Sequence, residues 1–229
     1  MNGTLGALGS SPIRPWLLAH FVAFTIGGAV AGGVLRALEQ PYYGRATSAL
    51  DAGVIQGGSL AASMAMFGAI LGAGQWLVLR RSLPAGGWVA AAALGWGLSG
   101  IVMGFTAGGS VSGIGPDEGP VPAAITAVVG PPVVVVVLGL VQWMILRREF
   151  TGAGWWPLVN AAGLFLGVSV GLVVAKVVPW LTPTQFPSGQ AFALMGAIAG
   201  PIYGVITWQF LTELRRPGAP SPTDPGRSR

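Results

Sequence analysis

The chain has few side chains able to do chemistry, and most of them recur at fixed places. Gln75, Gln142 and Gln209 each precede an aromatic residue and stand five or six residues before an arginine pair. Those pairs are Arg80-Arg81, Arg147-Arg148 and Arg215-Arg216. A carboxamide donates and accepts at once, so three copies at similar depth can bond across helices or line a polar constriction. Asn160 belongs with them. His20 is the one histidine. It is a candidate single axial ligand for a haem iron or pigment magnesium, or a proton carrier, set against an interfacial histidine bonded to a neighbouring helix. The arginine pairs are candidate sites for anionic lipid headgroups, beside their general role as interfacial anchors.

Prolines at two sites mark expected breaks in helices. Gly130-Pro131-Pro132 and Gly200-Pro201 lie inside apolar runs. Proline frees the carbonyl four residues earlier and bends a helix. Broken helices in matched repeats are a pointer to solute sites. Pro131 and Pro201, with Gln75, Gln142, Gln209 and Asn160, are therefore the candidate lining of a solute path. Tight structural packing is the competing reading. Asp117-Glu118 in a Gly/Pro loop reads as solvated, Lys176 as a snorkelling side chain, and Ser48-x-x-Asp51 as a capping box.

Composition limits the chemistry further. The 229 residues are 52% hydrophobic and 8% charged, with no cysteine, and the mean hydropathy is +0.69. Without cysteine there is no disulfide, thiolate metal site or thiol nucleophile. One histidine and no mid-span carboxylate leave no general base beside a nucleophile, so no catalytic residues, metal or cofactor are expected and an enzyme is disfavoured. A phosphate-binding loop is absent. The net charge of +5 sits at the ends of apolar runs, which argues for topology and against nucleic acid.

The elements that must hold these residues are six apolar runs, about 16–35, 54–79, 88–107, 121–146, 155–178 and 191–211. Each is long enough to cross a hydrocarbon core of about 30 Å as a helix. Strands in lipid must close a barrel, and the runs lack the two-residue alternation that a barrel shows. The expected fold is therefore all-α, a polytopic membrane bundle of six transmembrane helices. With six alternating spans, nine of the 12 basic residues fall on one side, and only Arg36, Arg45 and Lys176 on the other. The positive-inside rule then puts both termini in the cytoplasm. The expected location is a prokaryotic plasma (inner) membrane. Segment 1–15 is a polar lead-in and 217–229 a disordered tail. Arg14 with Ala29-Val30-Ala31 also fits a cleaved signal peptide. The first run carries the glycines of the internal repeat, which argues that it stays.

That repeat comprises three tandem hairpins, about 16–81, 88–148 and 155–216. Trp16, Trp88 and Trp155 open the outgoing helices. Glycines follow each at 12 and 16 residues: Gly28 and Gly32, Gly100 and Gly104, Gly167 and Gly171. The return helices end in GQWLVLRR, VQWMILRR and WQFLTELRR. This string, followed closely by a Trp-led helix, resembles small multi-pass bacterial membrane proteins of uncharacterised activity. The resemblance covers 16–216 and implies no function. Glycine stripes on nearly every run let backbones approach closely, which fits packing better than a solute path. The function expected is a non-enzymatic scaffold or accessory subunit of a membrane assembly, with a channel or facilitator for a small solute as the alternative. Expected partners are membrane lipids and another membrane protein or a second copy.

Overall fold

The computed structural model describes residues 13–42, 49–80, 87–111, 136–177 and 188–214. The Gly130-Pro131-Pro132 break, Asp117-Glu118, Arg81, Arg215, Arg216, the capping Ser48, the Lys176 side chain and both terminal segments lie outside them. The fold is all-α. Helix α1 is Ile13–Glu39, running into a 3-10 turn at Gln40–Tyr42. Helices α2 and α3 are Ala49–Leu79 and Trp88–Val111. Helix α4 is described over 136–149. A 3-10 turn at Ala153–Trp155 leads into α5, Trp156–Val177, and α6 is Ser188–Glu213. Gly152 enters that turn at φ 84°, a left-handed conformation that suits glycine.

Among the described residues, four helical stretches are long and apolar enough to cross a membrane: Ile13–Glu39, Gly53–Leu79, Ala153–Gly171 and Ala193–Glu213. Trp88–Gly104 is a shorter apolar helix. Their outward faces carry large apolar side chains, with Phe165 71% and Leu94 62% exposed. Lipid solvates such a surface without penalty, whereas water would drive it to associate.

Each helix packs on the next, and the last returns to the first. Helix α1 lies against α2 and α6, α2 against α3, and α5 against α6. Gly95 of α3 meets Leu138 of α4, and Gly139 of α4 meets Pro157 of α5. Small residues make these approaches possible. A Cβ on Gly100 would strike the Leu60 carbonyl, one on Gly104 the Gly57 backbone, and one on Gly196 the Phe24 carbonyl. Backbones this close gain dispersion contact along their length, which is what holds helices together in lipid. Ser63 adds a tie, its hydroxyl donating to the Ala31 carbonyl at 2.8 Å.

Two buried clusters fill the interior. One joins Phe24, Phe67, Leu71, Trp96, Leu138, Ala199 and Tyr203 along the helices. The other gathers helix ends: Trp16, Leu79, Trp88, Leu146, Phe150, Trp156, Trp208, Leu211 and Leu214. The starts of α1, α3 and α5 therefore meet the ends of α2, α4 and α6 at one end of the bundle. Helix α6 runs unbroken through Pro201.

Candidate functional site at the tryptophan end of the bundle

Five buried polar side chains, His20, Gln75, Gln142, Asn160 and Thr207, lie just inside that end, while Ser59, Ser63 and Ser99 are buried farther along the helices. Trp16, Trp88 and Trp156 are fully buried, and each indole N–H is satisfied by the helix arriving before it around the ring. Trp88 Nε1 donates to Gln75 Oε1 at 3.0 Å. Trp156 Nε1 donates to Gln142 Oε1, also at 3.0 Å. Trp16 Nε1 donates to the Gly204 carbonyl at 2.9 Å and reaches Thr207 Oγ1 at 3.3 Å. The glutamines at 75 and 142 thus pair with tryptophans, not with each other.

The residue four beyond each of these tryptophans faces the same centre. His20 Nδ1 lies 2.9 Å from the Trp16 carbonyl, so that nitrogen carries the proton and donates. Its Nε2 then accepts from Gln75 Nε2 at 3.0 Å. Asn160 Nδ2 likewise donates to the Trp156 carbonyl at 3.0 Å, and its Oδ1 accepts from the Tyr203 hydroxyl. The third position is Ala92, which offers no side-chain acceptor. Gln142 Nε2, fully buried, finds no partner among the described residues. Thr207 Oγ1 donates to the Tyr203 carbonyl at 2.8 Å. Aromatic rings pack the network: His20 lies 4.4 Å from Trp16 and 5.4 Å from Tyr203, and Trp88 lies 6.1 Å from Trp156.

Both nitrogens of His20 are engaged, so an axial metal bond there would displace Gln75. Among the described residues no three His, Cys, Asp or Glu side chains come together to hold a metal ion. Gln75, Gln142, Asn160 and His20 share the site. Gln209 does not, and is exposed on α6. Pro201 is half-buried in α6, one turn from Gly204. Arg80, Arg147 and Arg148 are exposed at the same end, with the Arg147 guanidinium 4.7 Å over the Trp143 ring.

Two features differ from the expectation. Trp156, and not Trp155, is the buried indole that opens α5; Trp155 is 65% exposed in the preceding 3-10 turn. The polar residue equivalent to Gln75 on α6 is Thr207. Gly72, Gly139 and Gly204 each face the residue after a buried tryptophan: Val89, Pro157 and Leu17. Three residues on come Gln75, Gln142 and Thr207, and four further Leu79, Leu146 and Leu211, all buried. The arginine pair comes directly after the leucine in α2 and α4, but three residues intervene in α6. Aligning the copies on their arginines therefore displaces Gln209 from the inward face. The Gly-x-x-polar-x-x-x-Leu spacing is the sequence signal that finds Thr207. Tyr203, one turn before Thr207, carried no signal beyond being an aromatic residue in an apolar run.

No family model, curated protein or solved structure matches this chain.

Proposed function

We propose that the chain is a multi-pass scaffold or accessory subunit of a prokaryotic plasma-membrane assembly. It has six spans in three hairpins around a pseudo-threefold axis, with both termini in the cytoplasm, and it is not an enzyme. The observation that carries this reading is how the polar groups are spent. Trp16, Trp88, Trp156, His20, Gln75, Asn160 and Tyr203 bond one another or nearby carbonyls, and at this cluster Gln142 Nε2 alone has no partner among the described residues. A solute path needs polar groups turned to a passage and free to exchange partners with what passes. Groups committed to each other within an aromatic shell instead fix helix positions. Hydrolytic chemistry would need a base and a nucleophile side by side, and His20 is held between Trp16 and Gln75. The exposed arginines at this end seat the bundle against anionic headgroups.

Flux from reconstituted vesicles tests the reading. Vesicles holding the purified protein should release small neutral and charged solutes no faster than empty ones. Mild solubilisation of native membranes should yield the protein with a stoichiometric partner. Solute release that falls in Gln75→Leu and Gln142→Leu would overturn the scaffold reading in favour of a facilitator.

A further inference from the structure

The three repeats fill the position four residues after each buried tryptophan differently. It holds His20 in α1, Asn160 in α5 and Ala92 in α3. Ala92 sits in the groove of α2 as His20 sits in the groove of α6. A Cβ on Gly72 would lie 2.8 Å from the Ala92 Cβ, and one on Gly204 3.3 Å from the His20 Cβ. Gln75 and Gln142 are matched in the same way. Each accepts at 3.0 Å, through Oε1, from the tryptophan of the helix that follows. Gln75 then turns its Nε2 to His20, on the helix before it. The same turn carries Gln142 Nε2 toward Ala92, on the helix before α4. A methyl group accepts nothing, and Gln142 Nε2 is buried without a partner among the described residues. A buried amide N–H facing apolar groups is costly, and an acceptor carried by a ligand removes that cost.

The surroundings select the ligand. Trp88 lies one turn before Ala92 and Leu138 one turn before Gln142, and both are fully buried, as is Trp156. The two indole rings are 6.1 Å apart. Their N–H groups are already spent on the glutamines. One turn along, α3 closes on α4, where a Cβ on Gly95 would lie 3.1 Å from the Leu138 Cα. One donor among apolar walls suits a neutral molecule, because an ion there would lose its hydration without gaining a counter-charge. It suits a water poorly, since a buried water makes about three hydrogen bonds. We propose that Ala92 and Gln142 mark a binding site for a small, neutral, largely apolar molecule with one hydrogen-bond acceptor, seated where α1 carries the His20 imidazole. The site goes beyond the scaffold reading and does not depend on it.

Pyridine, uncharged at mildly alkaline pH, has the required acceptor, and benzene is the same ring without it. Added to the full-length protein in detergent, pyridine should shift the Gln142 side-chain amide resonance saturably. At equal concentration in the micelle, benzene should bind about tenfold more weakly. Ala92→Asn supplies a built-in acceptor, and should give a folded, monodisperse bundle that no longer responds to pyridine. Equal binding of pyridine and benzene by the unmodified protein would overturn the proposal. So would an undiminished pyridine response in folded Ala92→Asn. A Gln142 amide that exchanges magnetisation with bound water, and that pyridine leaves unmoved, would overturn it as well.

Discussion

Gln75 holds two neighbours at once, accepting from Trp88 and donating to His20. Gln142 holds only Trp156, because its amide nitrogen has no described acceptor. Among the described residues, the Gln209 side chain holds no residue of the interior. These differences set an order of cost. Gln75→Leu orphans a buried indole N–H and an imidazole nitrogen, and should lower bundle stability by about 2 kcal/mol. Gln142→Leu orphans one indole and removes an unpaired donor, so its cost should be nearer about 1 kcal/mol. Gln209→Leu should leave the monomer within about 0.5 kcal/mol. Unfolding in mixed micelles by denaturing detergent reads all three. Equal costs at 75 and 209 would refute the assignment of partners. The glutamines at 75 and 142 were legible in the sequence as repeated carboxamides at one depth. Their partners were not. Nothing in the sequence distinguishes an indole as acceptor-seeking from an indole at the interface, so Trp88 and Trp156 read as anchors alone.

At the scale of the helix, close approach is what the glycines contribute, and they do not contribute it equally. Gly104 lies against the Gly57 backbone, while a Cβ at Gly58 would meet nothing within 4 Å. Gly104→Ala should therefore push α3 off α2 and cost about 1–3 kcal/mol. Gly58→Ala should be neutral or stabilising by up to about 1 kcal/mol, since it only stiffens the helix. The Gly100→Leu, Gly104→Leu double change should abolish the folded bundle altogether, seen as loss of a monodisperse peak in detergent. The apolar runs made these helices legible, although α1, α2, α3 and α6 extend past their runs. Helix α2 begins at Ala49 and α6 at Ser188, where polar residues continue the turn pattern without adding hydropathy. The start of α5 was misread by one residue. Trp155 and Trp156 are chemically alike, and only packing chooses which is buried. The register of α6 was misread for a related reason. Arginines are held by the membrane surface and tolerate an added turn, whereas glycine contacts do not.

At the scale of the molecule, the six helices among the described residues close a ring in chain order, with helix ends 16, 79, 88, 146, 156 and 211 gathered in one cluster. The scaffold reading depends on that cluster lying at a single membrane surface. Single cysteines at Ser82 and Thr151 would report its connections, and one at Ser112 the opposite end of α3. In right-side-out and inverted vesicles, an impermeant thiol reagent should reach Ser82→Cys and Thr151→Cys from the cytoplasmic side only. It should reach Ser112→Cys only from the other side. Labelling of positions 82 and 151 from opposite sides, or of all three from one side, would contradict the account.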